Sequence, residues 1–325
     1  MRATDFLRGL GVGALAAVLA APLSAQTGSF PSRPITLVVP FAAGGGSDVM
    51  ARVIAEPLSR RLGQPVVVEN KPGANASIGA EFVAKSAPDG HVWLHTSPGP
   101  HITNPFLMAK MPYDPAQLTP VARLGVFTHV LVVSPSLPAR SVAELVAYAK
   151  ANPGKLSFAS AGVASGSHLA GEHFKQLAGI DAVHVPYKGT GAAIQDLIGG
   201  NVQMTIDTLA ALGPSIRAGR LRVLAVGYSA RDASIPDVPT LAETFLGFDS
   251  SPMNYLSIRT GTPRAIVDRI NSEINAVLGD AAIRDRLRGM GVTATPSSAD
   301  EIARQVDSER VRWGAIITQS GLKPQ

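Results

Sequence analysis

The stretch Pro40-Phe41-Ala42-Ala43-Gly44-Gly45-Gly46-Ser47-Asp48 decides how this chain is read. The apolar run Ile35–Val39 precedes it, and residues 49–62 follow with helical periodicity: Val49, Val53, Ile54, Leu58 and Leu62 share a face opposite Arg52, Glu56 and Arg60. The reading is strand, glycine-rich turn, helix. Three adjacent glycines remove the Cβ atoms that would hold a ligand off the backbone. The helix start adds unpaired N–H groups and the positive end of its dipole. Such a turn seats an anion without a cationic side chain. The plainer alternative is a tight turn with no ligand. Pro57 lies inside the helical pattern and is expected to kink or split it.

Working outward, strands are expected at 66–69 and 92–95, with a short helix over 77–85 between them, which makes a parallel sheet. The loop after the third strand, Thr96 to Pro105, leaves the same strand ends as the first turn, and ligands of open α/β sheets sit at that rim. Residues 121–133 are β-prone and are read as a run between lobes. Leu156–Ser160 then feeds Ala161-Gly162-Val163-Ala164-Ser165-Gly166-Ser167-His168 and a helical pattern over 169–177. This is a second strand–turn–helix unit with the same anion chemistry. Further strands are expected at 183–187, 202–206 (ending at Asp207), 221–226 and 254–258. A helix over 262–278 is expected with Thr262 at its cap and Pro263 in its first turn. Ser298 and Glu301 have capping-box spacing ahead of the last helix.

The whole-chain figures exclude several classes. At 325 residues, 46% hydrophobic and 16% charged, the chain suits two packed lobes and not a disordered segment. The absence of cysteine removes disulfides, thiolate nucleophiles and cysteine–metal sites. The net charge of +5 is scattered, with no basic run carrying aromatics, which argues against a nucleic-acid partner. Residues 1–25 have a signal peptide's form. Arg2 and Arg8 are followed by an apolar stretch from Gly9 to Ala21 and then by Pro22-Leu23-Ser24-Ala25. The expectation is an exported protein, cut before Gln26. No Gly-x-Ser-x-Gly elbow, His-Glu-x-x-His pair or phosphate-binding Gly-Lys-Ser/Thr ending occurs, so a hydrolase, a metal site and nucleotide binding are all disfavoured. A hydrolase using Ser167 with His168 is the alternative of a different class. No cofactor is expected.

Pro34 to Asp48 resembles the signature of the Bug-type, or TctC-like, extracytoplasmic solute receptors of tripartite tricarboxylate transport systems. Val68-Glu69-Asn70-Lys71-Pro72-Gly73, Ala87-Pro88-Asp89-Gly90, Ser160-Ala161-Gly162, His184-Val185-Pro186-Tyr187-Lys188-Gly189 and Gly219 to Val226 match in family order. The resemblance implies an α/β, type II periplasmic-binding-protein fold. Residues 26–127 with 248–325 would form one lobe and 128–247 the other, with the ligand between them. It implies a small carboxylate held by Phe41, Ala42, Ala43, Gly44, Gly45, Gly46, Ser47 and Asp48 of one turn. Ser160, Ala161, Gly162, Ser165, Gly166, Ser167 and His168 of the other turn would face them, with Ser97, Tyr187, Lys188, Gly189 and Asp207 lining the cleft. Asp48 fits the helix dipole better than it fits an anion, and Asp207 serves equally as a helix cap. The implied partners of this expected monomer are membrane permease subunits, with a sensor kinase left open. Ser97-Pro98-Gly99-Pro100-His101 is richer in proline than the family pattern, which leaves the solute open at that loop.

Overall fold

A computed structural model of the chain describes residues 30–41, 43–187 and 189–324. The signal-like segment, Ala42 and Lys188 lie outside the described residues. The chain enters through β1 (Ile35–Val39), α1 (Gly46–Leu62), β2 (Val66–Asn70), α2 (Ser77–Ala84), β3 (Val92–Thr96), α3 (Asn104–Leu107) and β4 (Leu118–Phe127). It crosses into β5 (His129–Val133), α4 (Val142–Ala151), β6 (Ser157–Ser160), α5 (Gly166–Ala178), β7 (Val183–Pro186), α6 (Thr190–Gly199), β8 (Met204–Thr208), α7 (Leu209–Arg217) and β9 (Arg222–Val226). It returns through β10 (Met253–Arg259), α8 (Arg264–Gly279), α9 (Ala281–Gly289), β11 (Val292–Thr293) and α10 (Ala299–Gln319).

Two mixed sheets result. The first runs β11-β4-β10-β3-β1-β2 and the second β7-β6-β8-β5-β9. β1 pairs in parallel with β2 and β3, and β6 pairs in parallel with β7 and β8. The strands that cross between lobes are antiparallel to their neighbours. β1 and β3 carry Leu37, Val39, Trp93 and Leu94 at 0% exposure, because helices cover both faces of this sheet. Phe158, Phe174 and Phe248 pack in the second core. Phe248 heads the return segment expected for the first lobe, yet it sits among second-lobe side chains.

Thr128 alone separates β4 of the first sheet from β5 of the second. The return strand is tied beside this crossing. Gly227 N–H donates to His129 O at 2.8 Å, and His129 N–H donates to Ser251 Oγ at 3.0 Å. A Cβ on Gly227 would lie 2.7 Å from Ser250 Oγ and 3.1 Å from His129 Cβ, so glycine permits the close approach. α10 spans the other side of the junction. Its Trp313 and Ile317 pack with Ile102 and Tyr255 of the first lobe and with Leu169 of the second.

Three local expectations change. α1 runs unbroken through Pro57, and tertiary packing of Ile54, Leu58 and Leu62 outweighs the lost hydrogen bond. Thr262 does not cap α8; its hydroxyl donates to Arg259 O at 2.7 Å, and the helix begins after Pro263. The proline-rich loop after β3 is a wide helical turn over Gly99–Thr103, buried throughout and running directly into α3. Tyr113 Oη donates to Pro100 O at 2.9 Å, and His101 is held between Leu118 O and Tyr255 Oη. Among the described residues, no helix is long and apolar enough to cross a membrane.

Candidate functional site: a cleft between two helix starts

The first turn leaves β1 at Val39 and enters α1 at Gly46. Gly45 occupies the cap position at φ −73° with no side-chain acceptor. The first bond of the helix runs from Val49 N–H to Gly45 O, 3.0 Å. The N–H groups of Gly46, Ser47 and Asp48 therefore precede any intrahelical acceptor. Asp48 faces inward. Its buried carboxylate accepts Gly44 N–H at 2.9 Å, Asn70 Nδ2–H at 3.0 Å and Arg52 Nε–H at 3.1 Å. The Arg52 hydrogen bond leads the causes that hold its pKa down to about 2, against the upward push of burial. Asp48 thus braces the turn from behind, with its charge paired to Arg52.

The second turn is braced by hydroxyls and imidazoles. Ser165 caps α5, accepting His168 N–H at 3.2 Å and donating to Gly162 O at 2.7 Å. Ser167 Oγ accepts Ala161 N–H at 2.9 Å. His168 Nδ1 accepts Ala164 N–H at 3.0 Å, which fixes Ala164 at its unusual φ of +64°. The His168 ring stacks on His184 with centroids 3.7 Å apart, and His184 Nε2 meets Ser160 Oγ at 2.7 Å. Burial, helped by the mutual repulsion of the pair, pulls His168 down to about 4, so the ring is neutral and can accept. Ser167 Oγ and His168 Nδ1 both accept N–H groups of the turn, and His168 Nε2 faces Glu172 at 3.9 Å. Among the described residues they do not hydrogen-bond each other, so the pair the hydrolase alternative needs is not assembled. The first bond of α5, Leu169 N–H to Ser165 O, leaves the N–H groups of Gly166 and Ser167 ahead of it.

A third helix start, missed in the sequence, completes the wall. Asp207 accepts Thr190 Oγ1–H and Thr208 N–H, both at 2.7 Å. Thr208 holds the cap position of α7 without a side-chain capping bond, and Ala210 and Ala211 reach the cleft from the first turn.

These turns open on one cavity of about 510 Å³. Phe41, Gly46, Ser47 and Ser97 line it from the first lobe, and Ala161, Ser165, Gly166, Ser167 and Asp207 from the second. The other described candidates are not among the lining residues. Ala43, Gly44 and Gly45 shape the first turn, with Asp48 beneath them. Ser160, Gly162 and His168 brace the second. Tyr187 N–H and Gly189 N–H are tied to Ser160 O and Ala161 O, and Tyr187 Oη donates to Asp196 at 2.6 Å. Sequence reading also missed Asn75, Phe127, His129 and Asn254, which line the cavity through long-range packing, whereas Thr103 lies in the loop expected at this rim. Asn75 is the middle of three left-handed residues, Ala74 (φ +45°), Asn75 (φ +47°) and Ala76 (φ +70°). Its Nδ2–H donates to Asn104 Oδ1 at 2.6 Å, and Asn104 Nδ2–H returns a bond to Asn75 O. Such strain persists only where neighbours over-determine it. No Lys or Arg lies among the described lining residues, so an anion would be held by N–H groups, hydroxyls and helix dipoles. Among the described residues, no group of three or more His, Asp or Glu is placed to hold a metal ion.

The family model for the tripartite tricarboxylate transporter family receptor, TctC, matches residues 50–322. The chain belongs to the TctC family. Its TctC-family relatives include protein BugT of Bordetella pertussis, 38% identical over 326 residues that cover 99% of each chain. Among solved structures, an R. palustris protein with adipate is 36% identical at a TM-score of 0.81, covering 91% of this chain and 100% of that one. MatC from Rhodopseudomonas palustris, with bound malate, is 33% identical at a TM-score of 0.75, covering 89% and 100%. The two-lobe TctC fold expected from the resemblance is the fold observed.

Proposed function

We propose that the chain is a periplasmic receptor that captures a small organic acid, a mono- or dicarboxylate, in the cleft between its lobes. In this reading it delivers the acid to membrane permease subunits of a tripartite tricarboxylate-type transporter. One observation carries the proposal. Two helix starts, one from each sheet, open on a single cavity whose described lining has no Lys or Arg. The adipate and malate in the two related structures are of the same ligand class. Closing the lobes would exclude water and strengthen each N–H···O⁻ bond. A ligand of about ten heavy atoms would then reach roughly micromolar affinity, about −8 kcal/mol, within ordinary ligand efficiency.

The test is a thermal-shift screen across carboxylates, amines and sugars, followed by calorimetry. Stabilisation by acids alone supports the reading, and silence for every acid with binding of an amine or sugar refutes it. Uptake of the bound acid by a strain lacking the protein separates the two partners. Lost uptake favours the permease, whereas intact uptake with a lost transcriptional response favours a sensor kinase.

A further inference from the structure

We propose that Asn75 is a specificity-determining residue of the cleft, and that its side-chain carbonyl selects an acid carrying a hydrogen-bond donor, a hydroxyl or an amino group, on its carbon chain. This rests on the carboxylate reading above. Asn75 stands in the turn between β2 and α2, is exposed and lines the cavity. Its backbone is pinned. Ala74, Asn75 and Ala76 are all left-handed, although none is glycine. Ser77 N–H donates to Ala74 O at 3.0 Å and closes the turn. The loop after β3 lies against it: a Cβ on Gly99 would be 3.1 Å from Asn75 O. Asn75 therefore sits beside Ser97, Pro98 and Gly99, the lining segment whose proline-rich sequence left the solute open.

The hydrogen bonds fix which way the amide faces. Asn104 is 0% exposed, and its Nδ2 donates to Asn75 O at 2.9 Å and to Ser77 Oγ at 3.0 Å. A backbone carbonyl only accepts, so this edge of Asn104 is its N–H edge, and its Oδ1 lies on the other. Ser77 Oγ donates onward to Met108 Sδ at 3.2 Å, which leaves its lone pairs for Asn104. Asn104 Oδ1 also only accepts, so the Asn75 atom 2.6 Å from it is Nδ2. The Asn75 carbonyl oxygen is thereby held on the amide edge turned away from Asn104, as an acceptor at the cleft. An acceptor repels a carboxylate oxygen and pairs with a group that donates. The helix starts supply N–H donors for the carboxylate, and Asn75 supplies an acceptor for a donor elsewhere on the chain. A bare methylene in that place would leave the carbonyl desolvated and unpaired once water is excluded.

The test is calorimetry with the unsubstituted acid that the wild type binds best, compared with its hydroxy and amino derivatives; for succinate these are malate and aspartate. It uses the wild type and Asn75→Gly, which keeps the left-handed backbone without steric cost. Asn75→Ala, matched to the left-handed Ala74 and Ala76, repeats the comparison should glycine loosen the turn. The wild type is expected to prefer at least one derivative, and which one it prefers identifies the donor as hydroxyl or amino. Asn75→Gly is expected to weaken that derivative on the order of tenfold, as for loss of one hydrogen bond, and to leave the unsubstituted acid within about twofold at an unchanged melting temperature. Equal losses for both acids would assign Asn75 to the shape of the turn and overturn the proposal. A wild type that binds the unsubstituted acid at least as tightly as both derivatives would overturn it as well, as would a variant that keeps the preference. A wild type that binds no acid would instead refute the carboxylate reading itself.

Discussion

Asp48 and Gly44 are joined across the first turn: the buried carboxylate accepts the Gly44 N–H at 2.9 Å. The acid at the start of α1 serves the turn from behind, and the N–H groups of Gly46 and Ser47 are left for the cleft. Asp48→Ala would leave the Gly44 N–H and the Asn70 amide without this acceptor. The expected cost is about 1–3 kcal/mol in urea denaturation, with a matching fall in carboxylate affinity as the turn loosens. Unchanged stability would show that the brace is dispensable.

The three glycines are not equivalent. Gly44 sits at φ +81° and needs glycine, whereas Gly45 has an ordinary φ of −73°. A Cβ on Gly46 would lie 3.2 Å from the Phe127 ring, inside the cleft. Gly46→Val is therefore expected to cost at least about tenfold in affinity with the fold kept, since the helix start tolerates valine. Gly45→Ala is expected to change affinity less than about threefold, as a substitution with no backbone strain. Calorimetry on both variants with the best acid of the screen checks the order, and the reverse order would contradict this account of the turn.

The strand–turn–helix units were legible because glycine, proline and hydroxyl residues act locally. Ser298 and Glu301 form the expected reciprocal capping box, and Ser165 caps α5. α7 was not legible, because Gly213 and Pro214 lie within it and read as breakers. His129 and Asn75 were hidden for a different reason. Each reaches the cleft through contacts far along the chain, and a residue type without local spacing gives no signal.

Gly171 tests the support beneath the second turn. A Cβ there would lie 2.2 Å from the Phe158 ring, which in turn stacks on His184. Alanine gains about 1 kcal/mol of helix propensity over glycine. Overpacking costs about 1–3 kcal/mol and displaces the histidine stack, so the net effect is destabilising. A lower melting temperature and weaker acid binding in Gly171→Ala are expected, and a more stable variant would contradict the packing.

Stability is expected to fall as the pH drops from 6.5 towards 4. His95, His101, His129, His168 and His173 are each pulled from 6.5 to about 4, with burial the first cause. In that window the unfolded chain takes up protons that the folded chain refuses. Asp249, pushed up to about 6 by burial, works the other way between 3.8 and 6 and offsets part of the slope. Asp48, held at about 2, adds a loss only below 3.8. Melting temperatures across pH 7 to 4 give the sign. His168→Gln, which can still accept the Ala164 N–H, is expected to flatten the curve, and an unchanged slope would remove His168 from the account.

The central claim is that backbone N–H groups of two facing helix starts hold a carboxylate. Calorimetric titration of the wild type with mono- and dicarboxylates of four to eight carbons tests it most directly. The account predicts saturable binding of at least one acid at roughly micromolar affinity, lost in Gly46→Val. No heat from any acid, with saturable binding of an amine or a sugar in the same cleft, would contradict it.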